Sequence, residues 1–161
     1  MLTFRFAEKA DCPLILEFIK ALAVYEKMLD EVIATESLLS KWIFDQKKAE
    51  VIFAMKGDTA VGFALFFHNF STFLGRAGIY LEDLFVKPEY RGRGYGKALL
   101  KELAKIAVDR GCGRLEWSCL DWNRPSIDFY LSLGAKPMDE WTVYRMAGDT
   151  LSNFANGNVS I

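Results

Sequence analysis

Histidine is almost missing from this chain: His68 is the only one in 161 residues. The scarcity removes the commonest general base and the commonest metal ligand from nearly the whole sequence. A solitary histidine in an apolar stretch reads as a packed or rim residue, and no cluster with metal-ligand spacing surrounds it. Cysteine is scarce as well. Cys12, Cys112 and Cys119 leave one thiol over under any pairing, and none stands in a Cys-x-x-Cys. No disulfide framework is expected, and a reducing cytosol fits. Neither sign of charge is in excess. The formal net charge of −1 offers no basic field for nucleic acid. Long apolar runs are absent too: the longest, Val61 to Phe67, is far too short to span a bilayer. Met1 to Ala7 alternates with polar residues, unlike a secretory signal. The expectation is a soluble, cytoplasmic protein with no metal, no nucleic-acid partner and no membrane.

What is present is ordinary for a globular domain, with 52% hydrophobic and 25% charged residues in a length suited to one core. Leu2 to Phe6 alternates as a first strand. Asp11 is placed to cap a helix with Pro13 in its first turn, its stripe running Leu14, Ile15, Phe18, Ile19, Leu22 to about Tyr25. Thr35 opens a shorter helix through Leu38, Leu39 and Trp42. Glu50–Met55 and Ala60–Asn69 form a hairpin around Gly57, and Phe70–Ala77 reads as a loop. Gly78–Val86 is a strand, and Leu99, Leu100, Leu103, Ile106 and Ala107 mark a long helix stopped by Gly111. Arg114–Cys119 is the next strand. A short helix follows over Pro125–Leu133, capped by Asp121 or Asn123 and ended by Gly134. Trp141–Met146 reads as a last strand. Residues 1–147 are expected as one α/β domain with a mixed sheet, in the order βααβββαβαβ, and 148–161 as a frayed tail.

Between the central strand and the long helix lies Glu89-Tyr90-Arg91-Gly92-Arg93-Gly94-Tyr95-Gly96-Lys97-Ala98. Three glycines in five residues let a ligand approach the backbone, and the first helical N–H groups face the positive end of the dipole. That combination suits an anion, above all a phosphate. A Walker A loop is excluded because Ala98 stands where the magnesium-binding hydroxyl belongs, and the spacing G-x-G-x-G is not the dinucleotide G-x-G-x-x-G.

Starting at Arg91, the stretch resembles the R-x-x-G-x-G/A pyrophosphate motif of the GNAT superfamily of N-acetyltransferases, and the element order is similar. Three segments narrow the resemblance to the diamine (spermidine/spermine) and thialysine acetyltransferases: Tyr80-Leu81-Glu82-Asp83-Leu84-Phe85-Val86, Tyr90-Arg91-Gly92, and Asp121-Trp122-Asn123-Arg124-Pro125-Ser126-Ile127-Asp128-Phe129-Tyr130. The resemblance implies acetyl-CoA as co-substrate, a small amine as acceptor and a homodimer. It implies cofactor contacts at Leu84, Phe85, Val86, Arg91, Gly92, Arg93, Gly94, Tyr95, Gly96, Lys97, Asn123, Pro125, Ser126 and Tyr130. It places Tyr25, Glu26, Glu82 and Asp83 on the substrate. Arg124 departs from an acidic residue found in some polyamine-specific relatives, which leaves thialysine-like substrates open.

Acetyl transfer to an amine poses two proton problems. A lysine-like amine of pKa about 10.4 is neutral in only about one molecule in a thousand at pH 7.4, a handicap of roughly 4 kcal/mol. The departing thiolate leaves more easily when protonated. Glu82 matches the glutamate that takes the amine's proton, directly or through water. Its plain alternative is a salt bridge or rim residue. Glu82 and Asp83 follow one another in a strand, so they face opposite ways unless a bulge intervenes. Tyr130 matches the general-acid tyrosine; periodicity alone would make it a core aromatic. Glu26 is matched to a second ammonium of the substrate, whereas Asp30 and Glu31 read as solvated loop. Cys119 lies beside the expected cleft without a neighbouring histidine, so direct attack is expected rather than a covalent enzyme intermediate. Two rivals remain: amino-acid or protein-amine acetylation, and a non-catalytic acyl-CoA sensor.

Overall fold

A computed structural model of the chain describes residues 1–157 and divides it into two compact units, Met1–Ser118 and Cys119–Ile161. The first unit is built on a five-stranded sheet: β1 (Leu2–Phe6), β2 (Glu50–Lys56), β3 (Thr59–Ser71), β4 (Arg76–Val86) and β5 (Leu115–Trp117), side by side in that order. The first four strands pair antiparallel, and β5 runs parallel to β4. A parallel neighbour requires a crossover, supplied by helix α3 (Tyr95–Asp109). The short β2–β3 turn at Gly57 and Asp58 is the expected hairpin.

Both faces of the sheet are covered, which is why Val51 to Met55 of β2 are all buried. On one face lies α1 (Cys12–Tyr25), whose Ile15 and Phe18 are fully buried. Phe18 stacks on Phe63 at 5.0 Å between ring centroids and meets Phe85 edge-on at 6.5 Å. Asp11 stands at the helix N-cap but does not cap it. Its carboxylate is drawn instead to Arg5, which donates two hydrogen bonds at 2.8 and 2.9 Å. The helix closes with Lys27 N–H on Val24 O at 3.1 Å and Met28 N–H on Ala23 O at 2.8 Å, Lys27 taking φ 61°. This closure fixes Tyr25 and Glu26 at the helix end. Helix α2 (Glu36–Leu39) is capped by Thr35 Oγ1, which accepts from Leu38 N–H at 3.1 Å, and runs on as a π-helical turn over Ser40–Asp45.

On the other face α3 buries Leu99, Leu100, Leu103 and Ala107, and Gly111 ends it at φ 72°. Arg110, just past its end, forms a two-pronged pair with Glu50 at 2.7 and 2.9 Å. His68 is an exposed rim residue whose Nε2 lies 3.3 Å from the same guanidinium.

Three expectations are corrected. Phe70–Ala77 is not a loop: β3 continues to Ser71 and β4 begins at Arg76, leaving a tight turn in which Ser71 Oγ accepts from Leu74 N–H at 3.2 Å. In the second unit, α4 (Arg124–Ser132) ends at Gly134 as expected, with φ 89°, but Trp141–Met146 forms no strand. Apolar alternation makes a strand only where a ladder partner accepts its backbone, and none does so here among the described residues. Gly148–Ala155 is a helix, α5, rather than a frayed tail. Asp149 in its first turn and the apolar Leu151 and Phe154 one turn apart are the signals that reading overlooked. Residues 158–161 of that expected tail lie outside the described residues. No helix among the described residues is long and apolar enough to cross a membrane.

Gly62 of β3 decides how closely α3 approaches the sheet. A Cβ there would lie 3.0 Å from Phe85 O and 3.1 Å from Leu99 Cδ1. Gly62→Ala should therefore destabilise by about 1–3 kcal/mol, the usual cost of overpacking. Urea denaturation measures it, and an unchanged midpoint would show that α3 can shift without penalty.

Candidate active site

Strand β4 carries one residue more than β3 can match. Leu65 pairs with Asp83, but its neighbour Phe66 pairs with Leu81, so Glu82 is the extra residue of a β-bulge. Cross-strand partners share a face, and Leu65 and Phe66 point opposite ways. Leu81 is therefore on the α3 face and Asp83 on the α1 face. In a regular strand both would lie under α3. The bulge anticipated as the one way to bring Glu82 and Asp83 into a common role is present.

Asp83 stands in the field of two other carboxylates. Burial pushes its pKa up to about 6, and the charges of Glu82 and of Glu26 add to the effect. Burial also raises Glu26, at the end of α1. Glu82 is the exposed member. None of the three forms an ion pair among the described residues. Such a seat gains most from a positive charge. Among the described residues no three acidic, histidine or cysteine side chains converge closely enough to hold a metal ion.

The glycine-rich turn follows β4. Gly92 and Gly94 have φ of 76° and 79°, and a Cβ on either would meet nothing within 4 Å. These glycines serve backbone conformation and leave the space above them open. Gly94 is the N-cap of α3, and Ala98 N–H donating to Gly94 O at 3.0 Å is the helix's first internal bond. The N–H groups of Tyr95, Gly96 and Lys97 come before it, without intrahelical partners. Gly96 lies against β4, where a Cβ would touch Val86 Cγ2 at 3.9 Å. Arg91 is held back from the turn: its Nε–H donates to Val86 O at 2.9 Å, and its guanidinium covers the rings of Tyr25 at 5.1 Å and Phe85 at 5.0 Å. Arg93 lies over Tyr90 at 5.6 Å.

The parallel pairing of β5 with β4 ends at Trp117 opposite Leu81. Tyr80 Oη and Ser118 Oγ, 2.6 Å apart, fasten the strands where they part. Glu82 to Val86 thus run on past the last β5 partner; among the described residues no strand pairs with them on this side, and they include the expected cofactor residues Leu84, Phe85 and Val86. The second unit holds the remaining ones on a single element. Asn123 is the N-cap of α4, Pro125 and Ser126 lie in its first turn, and Tyr130 lies in its last, with its ring 5.6 Å from that of Phe129.

Residues 16–135 match the family model described as Acetyltransferase (GNAT) family. The chain belongs to this family. The bovine (Bos taurus) thialysine N-epsilon-acetyltransferase is 39% identical to it, the alignment covering 94% of this chain and 95% of that protein. An Arabidopsis thaliana L-ornithine N5-acetyltransferase is 31% identical over 96% of this chain and 88% of its own length. Among solved structures, an integron cassette protein from the mobile metagenome of V. cholerae superposes with a TM-score of 0.80 at 31% identity, covering 96% of this chain and 97% of that one.

This GNAT protein is thus an acetyltransferase that takes acetyl-CoA as co-substrate and an amine as acceptor. The first unit brings Tyr25, Glu26, Glu82, Asp83, Phe85 and Arg91 into one neighbourhood. Sequence reasoning missed the Arg91 stack on Tyr25 and the open β4 edge. The bulge had a visible sign, two successive carboxylates in an otherwise apolar strand.

The GNAT strand pays a stability cost for Asp83. Its native pKa of about 6 lies above the ordinary 3.8, so the folded state keeps a proton that the unfolded chain gives up. The Asp83 contribution to stability therefore falls as pH rises from about 4 to about 6 and is flat above, a loss of about 3 kcal/mol. Asp83→Asn should recover up to about that much at pH 7.5 and nothing at pH 3.5. Urea unfolding at the two pH values measures it, and an equal effect at both would refute the buried charge as the cause.

Proposed function

We propose that this acetyltransferase moves the acetyl group to the terminal amine of a small molecule carrying a second positive charge, a diamine, polyamine or lysine analogue such as thialysine. The carrying observation is the seat of Glu26, Glu82 and Asp83 at the β4 bulge, where burial makes ionisation of Glu26 and Asp83 costly and a nearby cation would offset that cost. One ammonium would remain charged against Glu26 and Asp83, while the reacting amine gives its proton to Glu82 and attacks the thioester. The thialysine and ornithine named in the relatives' activities share that chemistry, a terminal amine at a distance from a second charged centre.

Acetyl-CoA would lie with its pyrophosphate on the turn Arg91–Lys97. Its pantetheine amides would pair with the open edge at Leu84–Val86, as an added strand does. By the family resemblance α4 carries further cofactor residues, Asn123, Pro125 and Ser126, and its Tyr130 phenol is the candidate to protonate the departing thiolate. The enzyme would act in the cytoplasm, for which three free cysteines speak, and as a homodimer, which light scattering tests.

Release of free coenzyme A over a panel of amines is the deciding experiment. Thialysine, lysine, ornithine, putrescine and spermidine should outperform butylamine by at least about tenfold in kcat/KM, the worth of one ionic contact. Preference for the monoamine would sink the reading, and no thiol release from any amine would favour a sensor. With the best amine, Glu82→Gln should lose activity chiefly at neutral pH, and its profile should converge on the wild type as the amine deprotonates. A constant ratio would make Glu82 a positional contact.

Tyr130→Phe removes one oxygen and almost no volume. If the phenol is the general acid, kcat should fall about 10²–10⁴-fold, or roughly 3–5 kcal/mol, with acetyl-CoA affinity retained. A thioester with a more acidic leaving thiol should recover part of the loss. Near-wild-type kcat, or equal deficits for good and poor leaving groups, would remove Tyr130 from the chemistry.

A further inference from the structure

Arg91 is held at three places, and none is a carboxylate. Its Nε–H is used on Val86 O at 2.9 Å, one ring contact is with Phe85 at 5.0 Å, and the other is with Tyr25 at 5.1 Å. Val86 and Phe85 belong to β4, at the entrance to the glycine turn. Tyr25 is the last residue of α1, and the next residue, Glu26, is one of the three carboxylates of the amine seat. The guanidinium thus reaches from the start of the turn to the end of α1, and it lies over one ring from β4, Phe85, and one from α1, Tyr25.

We propose that Tyr25 is a positioning residue for coenzyme A, acting through Arg91, so that the cofactor turn and the amine seat share one wall. The inference rests on reading the turn as the pyrophosphate cradle. Tyr25 need not touch the cofactor: its ring is one of the contacts that fix where the Arg91 charge sits beside the turn. Linkage makes the effect reciprocal, so whatever displaces Tyr25 alters coenzyme A affinity, and coenzyme A in turn steadies the residue beside Glu26.

Coenzyme A binding to the full-length protein tests this by calorimetry with no amine present, so the outcome is independent of the acceptor's identity. Loss of one aromatic support at a partly exposed site should raise the Kd for coenzyme A about two- to fivefold in Tyr25→Leu. Tyr25→Phe keeps the ring and should bind as the wild type does. Arg91→Lys keeps the charge but not the plane; it should bind more weakly, and adding Tyr25→Leu to it should change nothing further. In turnover with acetyl-CoA, Tyr25→Leu should raise the KM for acetyl-CoA by the same factor. The proposal is overturned if Tyr25→Leu leaves the Kd unchanged while Arg91→Lys raises it, or if the two effects multiply in the double variant. If Arg91→Met and Gly94→Ala both bind coenzyme A normally, the cradle reading itself fails and this inference falls with it.

Discussion

Strand β4 has to satisfy two helices at once, and the single extra residue at Glu82 is how it does so. Between Ile79 and Leu81 the strand packs its apolar side chains under α3; from Leu84 to Val86 it does so again, beside Gly62 and Leu99. A strand of strict alternation would place Asp83 on that same face, against leucine and valine, where a carboxylate has no compensation. The bulge shifts the parity by one and turns Asp83 toward the end of α1. The shift places Phe85 on the α1 face, where it meets Phe18, and Val86 on the α3 face, near Gly96 of the turn. The acidic seat, the aromatic core and the root of the glycine turn therefore all follow from one backbone irregularity.

The arrangement is costly in isolation, and the cost has a direction. A carboxylate whose pKa lies near 6 destabilises the fold above that pH and is relieved by protonation or by a nearby cation. Evolution tolerates such a residue where function compensates for the lost stability. The same physics underlies the proposed substrate preference, since a nearby positive charge would offset the cost of ionising Asp83.

The glycine turn, the helix stops at Gly111 and Gly134 and the β2–β3 hairpin were legible in the sequence because each depends on a local rule that tertiary contacts leave alone. That Trp141–Met146 forms no strand was not, because strand formation depends on a partner that composition cannot supply. The role of Asp11 was misread for a related reason: its carboxylate has two possible partners, and Arg5, close only in the fold, wins with two charged hydrogen bonds. Within the site, the identities of Glu82, Asp83 and Glu26 were readable, but their convergence depends on ladder register. Arg91 shows the limit most clearly. Its type and position announced a phosphate ligand, while its stack between Tyr25 and Phe85 depends on where α1 ends.

The formal net charge of −1 conceals an ordered separation. Arg91, Arg93 and Lys97 occupy the turn, Glu26, Glu82 and Asp83 the seat, and no ion pair among the described residues joins the two sets or neutralises either. Elsewhere in the first unit such charges are paired: Arg5 with Asp11, Lys9 with Asp45, Arg110 with Glu50. Arg91 shows how a cation can be positioned without being neutralised, since an aromatic face and a carbonyl oxygen orient a guanidinium and leave its full charge in place. A salt bridge would have oriented it as well, but would have weakened its field for an incoming phosphate. Charges left without ion pairs in the turn and in β4 suit a protein that must bring an anionic cofactor to an amine, each able to supply a counter-charge.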